Sequence, residues 1–186
     1  MGGADIYSCS ANVFAIFCAE ASGRPAPRHG RHHNIVVTLK RDTSMNRISL
    51  SQANTIIAAA FEMASQSGLK PLSVAVLDPG GHMIAFQRQD GTSMLRQKIA
   101  CGKAAGALAL GMSSRRIRDM AAQWPAFVGS LGQISPDGVI PAVGGVIVVD
   151  AEGEPLGAVG VTGDTGDNDE ACALAGIAAA GLRAQE

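Results

Sequence analysis

The sequence predicts a three-layer α/β/α sandwich around an antiparallel sheet. Two segments each read strand, tight turn, strand, which is hairpin syntax and demands antiparallel pairing. Each of these hairpins is followed by an alanine-rich stretch with helix punctuation. The strand segments are apolar at nearly every position, as in Val146-Ile-Val-Val149, so both faces of the sheet need a helical cover.

The 186 residues carry a formal net charge of −1 and are 47% hydrophobic, enough to bury the core of one domain. This charge balance gives no electrostatic pull toward nucleic acid or an anionic membrane. Aromatic residues make up only 4%, which argues against stacking platforms for single strands. No run of 18 apolar residues occurs, so no membrane span is expected. Cys9, Cys18, Cys101 and Cys172 are scattered without a C-x-x-C pair, which suits reduced thiols in a cytoplasmic protein.

Residues 1–44 differ in character from the rest and read as a disordered extension to a single domain over 45–186. An apolar stretch at Val13–Ala19 precedes a basic, proline-bearing one, and His29, His32 and His33 cluster. No basic residue precedes the apolar stretch, as a secretory signal would require. The His cluster lacks the carboxylate or Cys spacing of a metal site and reads as a solvated tail.

The folded pattern begins near Leu50. Ser51 is a cap candidate for a helix over 51–67, with Ile56, Ile57, Ala60, Phe61 and Ala64 at helical spacing and Gly68 as the stop. Ser73–Leu77, Asp78-Pro-Gly-Gly81 and His82–Gln87 form the first hairpin. Thr92 or Ser93 caps a helix from Met94 to Leu110, and Ser113 or Ser114 caps a shorter one to Gln123, where Trp124-Pro125 breaks the chain. Gly, Ser and Pro recur through 127–143, which reads as a long irregular loop with a short strand near Val139 and Ile140. Val146–Val149 and Leu156–Val161 form the second hairpin. Asp167 or Asn168 then caps a helix over Ala171–Leu182, with Asp169 and Glu170 in its first turn.

No nucleophile elbow, P-loop or Cys beside a His is present. The polar residues that interrupt apolar elements are His82, Arg88, Asp90, Lys103, Asp169 and Glu170. His82 opens a strand after a Gly-Gly turn, as an exposed edge residue or as a ligand or proton carrier. Arg88 and Asp90, two apart, are a surface pair or jointly orient a ligand carboxylate. Lys103, among Cys101, Gly102 and alanines, either snorkels or contacts an anion at a subunit seam. The loop from Gly163 to Asp169 feeds a helix N-terminus, a place where anions bind. The smooth helices at 97–110 and 171–182 suggest close packing on another surface and hence a homo-oligomer.

Val-Ala-Val-Leu-Asp78-Pro-Gly-Gly-His82, Arg88-Gln-Asp90-Gly91, Lys103-Ala, Gly144-Gly145-Val and Gly157-Ala-Val-Gly160-Val-Thr-Gly163, followed by Asp169-Glu170, occur in that order. Taken together they resemble the GlcG/HbpS family of haem-degrading (DUF336) domains, found also as the C-terminal half of some corrinoid adenosyltransferases. The resemblance spans Ile48 to Ala180. It implies a profilin-like α+β fold with a five-stranded antiparallel sheet, homo-oligomers, and haem binding tied to haem degradation or redox sensing in some members. His82 is then the nearest axial group for haem iron, with Met94 and Met112 as softer alternatives. Where the family often places Thr after the helical Lys-Ala, this chain reads Lys103-Ala-Ala-Gly106, so no hydroxyl approaches iron from there. Two further readings stand beside haem. One is a site for an anionic metabolite, including a corrinoid-pathway one, held by Arg88, Lys103 and the Gly163–Asp169 loop. The other is a structural oligomer serving a metabolic operon.

Overall fold

The computed structural model describes residues 46–135 and 137–186. The expected extension over 1–44, with its His cluster, lies outside the described residues. Helix α1 spans Leu50–Gln66. Strands β1, Ser73–Leu77, and β2, Met83–Arg88, form the first hairpin. Helices α2, Arg96–Leu110, α3, Ser114–Gln123, and α4, Pro125–Ile134, follow. The second hairpin is β3, Gly145–Val149, and β4, Pro155–Thr162, after which come α5, Gly166–Ala179, and the two-residue β5, Arg183–Ala184.

All five strands form one antiparallel sheet in the order β2-β1-β4-β3-β5. Alternation along each strand sorts its side chains between two faces. Val74, Val76, Val146, Val148, Val159 and Val161 meet α1 and α5, where Ile56, Ile57, Cys172 and Ile177 complete the larger core. Leu77, Ile147, Val149 and Ala158 point the other way and meet Ala104, Ala105 and Ala107 of α2. The expected α+β class and layering therefore hold.

Close approach explains why α2 is so smooth. A Cβ at Gly160 would collide with the Ala100 carbonyl, and one at Gly145 with the Lys103 carbonyl. The backbone of α2 thus lies almost directly on β3 and β4. On another side of α2, Val139 and Ile140 pack against Gly106 and Gly102, and the Ile140 N–H donates to the Gly102 carbonyl at 3.4 Å. Residues expected as a short strand are an irregular segment laid along a helix. The small residues of α2 are occupied within the chain.

Other boundaries move for local reasons. Ser49, rather than Ser51, caps α1 in a capping box with Gln52. Helix α2 starts at Arg96 because its N–H closes a turn onto Ser93 O. Pro125 restarts a helix at its first position instead of ending helical structure, so the loop expected over 127–143 is helical in its first part, through Ile134. Thr165 caps α5 through the Asn168 N–H, which brings its start forward to Gly166. That helix stops at Ala179, and the chain turns at Gly181 (φ +70°) into β5. Cys101 and Cys172 are free thiols, partly buried and buried, and burial pushes both thiol pKa values up. Among the described residues no helix is long and apolar enough to cross a membrane.

Candidate functional site

Lys103 projects from α2 toward the sheet and is 3% exposed. Its Nζ donates to the Val161 carbonyl and to Asp169 Oδ2, both at 2.8 Å. Asp169, 2% exposed, also accepts the Asp164 N–H at Oδ1, 3.0 Å away. Burial pushes the Lys103 pKa down and the Asp169 pKa up, and their mutual pairing opposes both displacements. A side chain at Gly144 (φ +120°) would crowd the pair, with a Cβ 3.0 Å from Nζ and 2.9 Å from Asp169 Cβ. Two residues expected to meet a ligand therefore meet each other, and they clamp α2, β4 and α5 together. Lys103 does not snorkel, and its ammonium is engaged within the chain.

Glu170 is held in a similar way. Its Oε2 accepts Arg115 Nε and Nη2 at 2.9 and 2.6 Å, and Asp167 accepts from the same guanidinium. These bonds join α3 to α5, raise the Arg115 pKa and lower that of Asp167. The Gly163–Asp169 loop, expected to cradle an anion, also satisfies itself. Asp164 N donates to Asp169, Thr165 N to Asp164, and Asn168 N to Thr165. The Asp164 carboxylate additionally accepts from Asn168 Nδ2 and Lys70 N. With the Thr165 N–H as the largest cause, its pKa falls to about 2.

His82 sits at the tip of the β1–β2 hairpin with 83% of its side chain exposed. Its Nδ1 is 3.3 Å from Asp78 Oδ1, and that same oxygen accepts the Gly80 and His82 N–H groups at 2.9 Å each. Arg88 ends the strand that His82 precedes. Six residues of extended chain at about 3.3 Å each separate the two by about 20 Å. Asp90, exposed in the following turn, lies beyond Arg88. The expected cluster thus resolves into a hairpin tip carrying His82, the Arg88–Asp90 end of β2, and the internally paired Lys103, Asp169 and Glu170.

A row of polar residues near Arg88 was not foreseen. Ser73 of β1 stands opposite both Arg88 of β2 and Thr162 of β4. Residues directly opposite in an antiparallel pair share a face. Arg96 reaches that row from the start of α2, with Nη1 donating to Thr162 Oγ1 at 2.8 Å and Nη2 to the Gly163 carbonyl at 3.4 Å. Ser73 heads a strand that is otherwise apolar, the one hint the sequence offered, but its neighbours follow only from the register. Of the softer iron ligands considered, Met94 is 89% exposed beside α2. Met112 lines an open cavity of about 310 Å³ with Met120, Arg116 and Trp124. Among the described residues no three His, Cys, Asp or Glu side chains converge to hold a metal ion.

Comparison with known proteins places this geometry in context. A family model described as haem degrading protein HbpS-like matches residues 48–178. HbpS of Streptomyces reticuli, in the crystal structure of a double mutant, is 29% identical with a TM-score of 0.62, covering 83% of this chain and 97% of that one. The Klebsiella pneumoniae protein ORFY is 25% identical with a TM-score of 0.66, covering 77% and 97%. The crystal structure of a PduOC:haem complex is 22% identical with a TM-score of 0.67, covering 75% and 99%, a likeness that shows the fold alone. Comparison with curated proteins gave no match.

Proposed function

This chain belongs to the HbpS-like family of haem-degrading proteins, and from that premise we propose that it binds haem, with His82 as the iron ligand. The observation that carries the reading is the setting of His82. With Nδ1 3.3 Å from the Asp78 carboxylate, an imidazole carrying its proton on that nitrogen would leave Nε2 free to coordinate. A carboxylate behind the ring also orients it and makes Nε2 a better donor. Bound iron would supply the redox chemistry that side chains lack, in haem degradation or in redox sensing.

A ring this exposed gives haem only one wall, so the proposal includes a homo-oligomer in which a second copy supplies another. The smooth faces of α2 and α5 do not support that oligomer, since they pack within the chain. Trp124, Phe127 and Ile134, exposed on and beside α4, offer one apolar surface for it, and Met83, Met94 and Leu95, exposed near the two ends of the first hairpin, offer another. Cytoplasmic location and a small-molecule ligand rather than nucleic acid belong to the same proposal.

The test is a haemin titration of the full chain followed in the Soret region. The parent should give a ligated ferric spectrum. His82→Ala should lose it, and Asp78→Asn should weaken it. A Soret maximum in His82→Ala identical to that of the parent would show that iron is held elsewhere.

A further inference from the structure

Ser73 is fully buried, and its Oγ is the one buried side-chain polar atom among the described residues without a hydrogen-bond partner. A buried hydroxyl left unpaired destabilises the fold, and native structures rarely leave one without a reason. Its surroundings supply that reason. Arg88, directly opposite Ser73 on the edge strand β2, is exposed and makes no hydrogen bond or ion pair among the described residues. Arg96, bonded to Thr162 on the other side of Ser73, uses two of its five N–H donors and keeps three. The row also lies at the N-terminus of α2, a helix of 15 residues whose N-cap, Leu95, provides no side-chain capping bond. By register Arg88, Ser73 and Thr162 share one face of the sheet, and Arg96, at the positive end of α2, bonds to that row.

We propose that the Arg88–Ser73–Thr162–Arg96 row is a binding site for a small carboxylate. One carboxylate oxygen would accept from Ser73 Oγ while the planar group is forked by a guanidinium, an arrangement Arg supports and Lys does not. Entry is from the open edge of the sheet, past the exposed side chain of Arg88. The site does not depend on His82. About 20 Å of backbone separates the two along β2. The ligand we assign to the row is a free carboxylate, and haemin competition separates it from a propionate of haem held by His82.

The experiment titrates the full-length, ¹⁵N-labelled protein with malonate and reads affinity by calorimetry and location by amide shifts. Saturable binding is expected, with shifts centred on Ser73, Arg96 and Gly163. Ser73→Ala should weaken it about 10-fold, as the loss of one hydrogen bond to a charged group does. The same variant should melt no lower than the parent, because it removes a hydroxyl that had no partner; a merely structural serine would give the opposite pattern. Arg96→Lys should also weaken binding. Malonate bound alongside haemin is the expected result, and displacement of malonate by haemin would assign the same row to a propionate contributed by haem on a neighbouring copy. Absence of saturable shifts, or Ser73→Ala binding malonate as tightly as the parent, overturns the proposal.

Discussion

Lys103→Met keeps the length and apolar volume of the side chain and deletes its ammonium group. What is left is Asp169, 2% exposed, with only the Asp164 N–H bonded to it, and a Val161 carbonyl that has lost a donor. Removing one partner of a buried ion pair costs about 3–5 kcal/mol, because the other charge stays buried and uncompensated. At about 4 °C per kcal/mol for a domain of this size, the midpoint of thermal unfolding should fall by about 12–20 °C. Lys103→Met combined with Asp169→Leu removes both charges and should recover most of the loss, since apolar replacement of a whole buried pair is often neutral. Recovery should stop about 1 kcal/mol short, because Asp164 N loses its acceptor. The pH dependence has a definite sign. Burial already raises the Asp169 pKa above 3.8, and losing the ammonium raises it further. A raised folded pKa means stability present at low pH and lost as pH rises through it, so the deficit of Lys103→Met should shrink on acidification. Thermal unfolding at pH 7 measures the shift in midpoint, and urea unfolding followed by circular dichroism from pH 7 down to pH 5 measures the free energies. A loss under about 1 kcal/mol, or a double variant no better than the single, would refute the view that these residues hold the fold and not a ligand.

Gly160→Ala should cost about 1–3 kcal/mol by thermal unfolding, since its Cβ would enter the Ala100 carbonyl and force α2 off the sheet. Asp164, with a folded pKa of about 2 against 3.8, should contribute stability above 3.8 that is lost as pH falls through 2. Asp164→Ala should flatten the acid limb of the stability curve, and a carboxyl titrating near 3.8 by NMR would contradict the assigned hydrogen bonds. Deleting residues 1–44 should leave the far-ultraviolet spectrum and melting temperature unchanged, and an unfolded product would move the domain boundary.

The hairpins were legible because turn chemistry and apolar runs are local. Asp78-Pro-Gly-Gly81 and Asp150 to Pro155 announce their connections without reference to anything distant. Helix ends were less legible because a cap is a bond, not a residue type. Ser49, Ser51, Asp167, Asn168 and Thr165 are all competent caps, and only the path of the chain selects Ser49 and Thr165. The candidate site was the least legible part. Lys103, Asp169 and Arg88 look alike in sequence as charges interrupting apolar stretches, yet the first two are buried against each other and the third is exposed. A charge that has found an internal partner gives no local sign of it when that partner is 66 residues away. Ser73 is the converse case, an unremarkable hydroxyl in sequence that acquires meaning from strand register.

Sheet order explains why the groups still available to a ligand gather on the first hairpin. The neighbours β1, β4 and β3 form the centre of the sheet, and their residues are apolar, small or internally bonded. Strand β2 is a six-residue edge, whereas the opposite edge is closed by only the two residues of β5. An edge strand risks pairing with another chain, and this one carries two common safeguards, a bulge opposite Val76 and Leu77 and a charged residue, Arg88, at its end. The same features that discourage indiscriminate pairing leave side chains accessible at both ends of the strand. Two sites at opposite ends of one rigid strand need not communicate, since neither ligand alters the pairing that fixes the other. Occupancy of the carboxylate row should therefore leave the haemin affinity of His82 unchanged unless a second copy bridges them, and that dependence on a second copy is what separates a monomeric two-site protein from an oligomer with one shared pocket.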